Sequence, residues 1–292
     1  MGLAAKTAPS FYGKMKNKQI YRIISVVSLL VMALAILSIV YMLFLYQKSN
    51  REYQALAEEA RAAAERMAEQ MAEEAQQSEQ AGQAEPEQDD RVPIPVDFEY
   101  LLSQNQDIIG WIVVDGTAID YPVLYDDTQF RVYLNHNYLH AYSPYGSVFM
   151  LGENDPDFTD FNTVIYGHNL IDGSMFATLH NFEDQAFFDE HRTIMVYTPD
   201  RVLTYEIFAA YRTDNLNVVL KYPSTTREER QAYIDHIYSH EVKAIFDRSI
   251  EVTPDDRIIT LSTCIANPAY RYLVQGVLVS DQAGISTATA VG

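Results

Sequence analysis

The sequence predicts a mostly β fold, a barrel with added helices, carried behind one apolar N-terminal helix. Three observations predict it. Eight short runs rich in β-branched and aromatic residues sit between Gly, Pro, Asn and Asp, with no regular βαβ alternation. Helical 3-4 spacing is confined to a few segments. Residues 23–46 carry no charge.

The apolar run comes first. It reads IISVVSLLVMALAILSIVYMLFLY. At about 1.5 Å rise per residue it makes roughly 36 Å of helix, enough to cross a hydrocarbon core of about 30 Å. Lys6, Lys14, Lys16, Lys18 and Arg22 precede it. Such a flank stays inside, so residues 1–22 are expected in the cytoplasm and the remainder outside, at the cell membrane. The run is too long for a cleaved signal peptide, and no clean small-residue cleavage site follows. A transmembrane signal anchor over 23–46 is therefore expected.

Residues 47–91 read as a helical stalk and linker. Tyr53, Leu56, Ala60, Ala63 and Met67 keep 3-4 spacing. Alanines make a poor coiled-coil seam, so the expectation is a solvated single helix rather than a dimer. AGQAEPEQDD, residues 81–90, loses the periodicity and reads as a flexible linker.

Residues 92–281 form the expected globular domain, long enough to bury a core. It opens with a short helix in which Phe98, Leu101 and Leu102 share a face. The strands are WIVVDG, DYPVLY, GSVFML, NTVIYG, RTIMVYT, VLTYEIFAAYR, RIITLST and YLVQGVLVS. Residues 224–246 read as a helix, with Ser224 or Thr225 as cap and Glu228 or Glu229 in the first turn. Residues 282–292 are small and polar and are expected to be disordered.

Composition narrows the function. A net charge of −19 and no cluster of Lys and Arg beyond the membrane run argue against nucleic acid. The chain has a single cysteine, Cys264, so it can form no internal disulfide. Outside the cell that thiol is either a small buried core residue or a reactive group. It falls at the end of the RIITLST strand, where a side chain can face a groove. Arg271 opens the next strand after IANPAY, a turn built on Asn-Pro. Adjacent strands would set a thiol beside a guanidinium able to bind a developing oxyanion.

A thiol nucleophile also needs a proton partner. Among seven histidines, His168 ends the strand of NTVIYGHN after a glycine. His136 with His140, and His236 with His240, have i,i+4 spacing, but no third ligand accompanies either pair. His180 and His191 lie in helical or turn segments. By spacing, Cys264, His168 and Arg271 are one trio among several. A cysteine endopeptidase and a non-catalytic surface peptide-binding module remain open at this point.

TLSTC with its following Arg, and NTVIYGHN followed by DGSMF, resemble the signatures of the class B sortases. DIIGWIVVDGTAIDYPVLY, YLNHNY, YGSVFM, FDEH and YEIFAAYR extend the resemblance across the domain. It implies a cysteine transpeptidase of Gram-positive cell surfaces on an eight-stranded sortase-type β-barrel. N-terminal helices and a long helix between the sixth and seventh strands belong to that fold. It implies Cys264 as nucleophile, His168 as general acid and base, and Arg271 as the oxyanion or substrate stabiliser. Leu134, Ser262 and Thr263 match pocket positions, and the Ile265 N–H would assist Arg271. The loop 214–220 would border the groove. The implied substrates are surface proteins bearing a sorting signal, cut after Thr. The implied acceptor is the amine of a peptidoglycan precursor (lipid II) or of a pilin lysine. No metal or organic cofactor is required.

Overall fold

The computed structural model describes residues 11–80, 91–128, 131–214, 218–265, 267 and 269–285. The chain divides into two compact units, Met1–Lys48 and Ser49–Gly292. Helix α1 (Phe11–Gln80) runs through both. In the first unit it carries the apolar run, whose large side chains are exposed from Ile23 to Phe44, with Leu45 and Tyr46 half-buried. That stretch is long and apolar enough to cross a membrane.

The second unit is a closed barrel. Its strands are β2 (Ile108–Val114), β3 (Asp120–Asp126), β4 (Val148–Leu151), β5 (Asn162–Tyr166), β6 (Thr193–Tyr197), β7 (Arg201–Asp214), β9 (Ile258–Cys264) and β10 (Tyr270–Ile285). They are the eight predicted runs. Their neighbour order is β10-β9-β5-β4-β3-β2-β6-β7, and the β7–β10 pairing closes the ring. Most pairings are antiparallel, as expected; β3–β4 and β5–β9 are parallel. Two short strands, β1 (Val92–Pro93) and β8 (Ile245–Phe246), extend the sheet at β10 and β7. Eight strands enclose a space that side chains fill, which suits the buried Trp111, Val123, Ile165, Val196 and Leu261.

Helix α2 (Phe98–Gln104) begins at Asp97, whose carboxylate accepts from the backbone N–H of Glu99 and Tyr100. Helix α3 is Gln185–Glu190, and α4 is the single turn Val218–Lys221. Helix α5 (Arg227–Tyr238) covers the barrel between β7 and β9. Its Tyr233, Ile234 and Ile237 pack with Phe208, Tyr211, Ile258 and Leu273.

Four expectations need correction. Helix α5 is shorter than 224–246 and its cap is Thr226. Thr226 accepts from the Glu229 N–H while Glu229 reaches back to the cap N–H, so the capping box outweighs Ser224 and Thr225. Beyond Ser239 the chain turns, and residues 245–246 pair with β7, so a strand replaces the predicted helical end.

Second, the stalk is not solvated over its first turns. Tyr53, Leu56, Ala57, Ala60 and Ala64 are buried. The Tyr53 hydroxyl lies 2.7 Å from Ser147 Oγ and donates to the Gly146 carbonyl at 3.1 Å. Ser49 meets Ser143, and Arg61 pairs with Asp120. Small alanines fail as a coiled-coil seam, but they let the helix lie close against the barrel. Third, residues 49–64 consequently belong to the same compact unit as the barrel, ahead of the expected start at 92. Fourth, residues 282–285 of the expected disordered tail continue β10, where Gly284 pairs with Val92. The linker 81–90 and the tail 286–292 lie outside the described residues.

Candidate active site

Strand register alone brings the three predicted side chains together. Strands β5 and β9 run parallel with Tyr166 beside Ser262. Their C-terminal ends therefore coincide, and His168 and Cys264 each lie two residues further on. Strands β9 and β10 are antiparallel with Cys264 directly opposite Arg271. Opposed residues of such a pair project to one face with Cβ atoms about 5 Å apart. Cys264, His168 and Arg271 accordingly line one cleft. The thiol is half-buried, neither sealed in the core nor fully open.

His168 is held by its surroundings. Its Nε2 lies 2.5 Å from the Leu134 carbonyl oxygen. A carbonyl can only accept, so Nε2 carries the proton and Nδ1 is left for exchange. Its own carbonyl accepts from the Phe176 N–H at 2.9 Å. Gly146 packs against the same ring with φ at +61°. A Cβ there would come within 2.7 Å of the Leu134 oxygen, 2.8 Å of the Tyr133 oxygen and 2.9 Å of His168 Cδ2. The glycine of YGSVFM thus makes room for the histidine.

Leu134, Ser262 and Thr263 also line the cleft. Leu134 ends the 3-10 helix Val132–Leu134, with its side chain exposed and its carbonyl on His168. The buried Thr263 hydroxyl donates to the Gly167 carbonyl at 3.0 Å, so it ties the ends of β5 and β9. Ile265 is not brought into the cleft. Its side chain lines an adjoining depression with Asn169, His180, Glu183, Arg212, Lys243, Asn267 and Tyr272. In the turn from Ile265 to Tyr270, the Asn267 side chain accepts from the Ala269 N–H. Residues 266 and 268 of that turn, and 215–217 of the expected groove loop, lie outside the described residues. Val218, from the same loop, is packed into the α5 cluster instead.

Sequence reasoning missed Arg131, Phe149, Leu151 and Tyr166, which with Gly167 complete the lining. Tyr166 stacks on Phe149 with ring centroids 5.6 Å apart. Burial pushes its phenol well up; Glu153 adds to this, while Arg131 and Arg271 oppose it. Two guanidinium groups thus face one cleft of a chain whose overall charge is −19. Arg131 has φ at +51°, a left-handed position at the start of the 3-10 helix that no sequence signal announces. Tyr166 stands two residues before His168, and that nearness is the signal that could have found it.

Known proteins resemble this chain in sequence and fold. The sortase domain family matches residues 112–279. Sortase B of Listeria monocytogenes is 37% identical over 185 residues, covering 62% of this chain and 73% of that protein. The solved Staphylococcus aureus sortase B–substrate complex superposes with a TM-score of 0.61 at 26% identity, covering 80% of this chain and 97% of that one. The Clostridium perfringens sortase B structure gives a TM-score of 0.57 at 29% identity, over 63% of this chain and all of that one. A parallel pair of strand ends carrying His168 and Cys264, a closed eight-stranded barrel and these relatives lead to one conclusion: the chain belongs to the sortase family of cysteine transpeptidases, among its class B members.

Proposed function

We propose that this chain is a membrane-anchored transpeptidase that cuts a C-terminal sorting signal after threonine and passes the new acyl group to an amine. The observation that carries the reading is the convergence of Cys264, His168 and Arg271 on one cleft. The amine belongs to a peptidoglycan precursor or to a pilin lysine. The basic residues before the apolar run support an N-terminus inside and a catalytic domain outside.

The reaction runs in two halves. The Cys264 thiolate attacks the threonine carbonyl carbon, and a C–S bond forms. The Arg271 guanidinium, which lines the cleft with the thiol, receives the negative oxygen; one such donor is worth about 3 kcal/mol. The tetrahedral species collapses, the C–N bond breaks, and His168 gives a proton to the leaving amine. Nδ1 is the atom for that transfer, because Nε2 is engaged by Leu134. The acceptor amine then attacks the thioester, gives its proton to His168 and displaces the thiolate. One amide replaces another, so no external energy source is needed.

The test is cleavage of a fluorogenic sorting-signal peptide with and without an added amine. Wild type should cleave, and the amine should appear in the product. Cys264→Ala and His168→Ala should lose at least about 10³-fold while keeping the wild-type melting curve. Undiminished cleavage by Cys264→Ala would remove the nucleophile assignment.

A further inference from the structure

A second histidine approaches the end of β9, and the reaction above does not use it. His180 lies on the 3-10 helix Ala177–Glu183. Its Nε2 is 3.0 Å from the Cys264 carbonyl oxygen. Its Nδ1 is 2.8 Å from Glu183 Oε1. A carbonyl oxygen only accepts, and so does an ionised carboxylate. Each of the two ring nitrogens must therefore donate. A neutral imidazole has one N–H, whereas an imidazolium has two.

Glu183 supplies no proton of its own. Burial pulls its carboxyl up, but the hydrogen bonds from Lys243 and His180 outweigh burial and hold it below the usual carboxylate range. It is ionised at neutral pH. The ring is fixed as well: it stacks on the buried Tyr272 with centroids 5.1 Å apart and planes 28° apart. Asn169 donates to the same Cys264 carbonyl at 3.0 Å. Two donors from two different segments thus pin the peptide group that carries the thiol.

We propose that His180, held as an imidazolium between the Glu183 carboxylate and the Cys264 carbonyl, is a positioning residue that orients Cys264 and supports its thiolate. The inference rests on Cys264 as the reacting thiol. A positive charge one peptide group from the sulfur favours the anion, and the two donors fix the direction of the Cα–Cβ bond. Other groups also face these residues. His168, Arg131, Arg271 and Tyr166 share the cleft with Cys264. Glu183, Lys243, Arg212 and Tyr272 share the adjoining depression with His180. Glu183→Gln also releases Lys243, whereas His180→Gln leaves the Lys243–Glu183 pair, so a shift common to both variants reports the His180–Glu183 pair.

The single cysteine makes the test clean. In the full chain in detergent, the rate of iodoacetamide alkylation against pH titrates Cys264 alone. His180→Gln keeps a donor but loses the charge; Glu183→Gln keeps an acceptor but releases the imidazolium. Both should move the alkylation midpoint up by about one pH unit and slow the reaction at neutral pH about tenfold, with recovery at higher pH. A midpoint unmoved in folded Glu183→Gln overturns the proposal. Nitrogen NMR of the wild-type ring serves independently of variant folding: two protonated ring nitrogens at neutral pH support it, and a neutral tautomer overturns it. Alkylation needs no peptide substrate. A failed transpeptidase reading shows instead as wild type that cleaves no sorting peptide, whatever its midpoint.

Discussion

Two histidines flank the end of β9, and the number of acceptors each one meets separates their duties. Among the described residues His168 meets one acceptor, the Leu134 carbonyl, and keeps a nitrogen able to take and give protons. His180 has two acceptors, the Cys264 carbonyl and the Glu183 carboxylate, and has no nitrogen to spare. One ring is suited to shuttle a proton and the other to hold a charge still. The residue type is the same, and the hydrogen-bond count decides the chemistry.

Three substitutions sharpen this contrast, beyond those already named. Arg271→Lys has the largest expected effect. It keeps a charge beside the thiol but loses the planar fork, so kcat should fall about 100-fold while the alkylation midpoint of Cys264 stays put. A large midpoint shift in this variant would mean that Arg271, rather than His180, sets the thiol. Gly146→Ala comes next. Its Cβ would press on the Leu134 and Tyr133 carbonyls and the His168 ring, at a φ that disfavours alanine. It should lower kcat/KM about tenfold, consistent with strain of about 1–3 kcal/mol at such a position. Wild-type kinetics in Gly146→Ala would mean that the His168 setting tolerates displacement.

Tyr53→Phe has the smallest expected effect on turnover. It removes the hydroxyl that reaches Ser147 and the Gly146 carbonyl from the α1 helix. Loss of buried hydrogen bonds should cost about 1–2 kcal/mol of stability, read by denaturant unfolding, with activity nearly intact. A collapse of activity without loss of stability would show that this part of α1 tunes His168 directly.

Much of the fold was legible in the sequence, for identifiable reasons. The eight strands announced themselves because Val, Ile, Tyr and Thr run between turn residues. Cys264 and Arg271 were legible together, because a short Asn-containing turn makes their strands neighbours. Position 168 was legible as a strand end after glycine. What escaped was tertiary. The alanines of residues 55–64 carry no strong apolar signal, yet they are what allows α1 to approach the barrel. Short-range propensity favoured a helix through Phe246, but pairing with β7 takes its last residues. His180 meets Cys264 across 84 positions through a 3-10 helix, and nothing in its local sequence marks that contact. Arg131 reaches the cleft from a left-handed backbone position, which favours Gly, Asn or Asp, so an arginine there gives no local signal of it.

The central claim is that one sulfur carries the acyl group between two amines. The most direct measurement is the intact mass of the full chain, quenched in acid during turnover of a sorting-signal peptide without added amine. The account predicts a mass increase equal to the acyl fragment, located by digestion on Cys264, absent in Cys264→Ala and discharged when an amine is added. An acyl group found on any other residue, or steady cleavage by Cys264→Ala with no adduct at all, would contradict it.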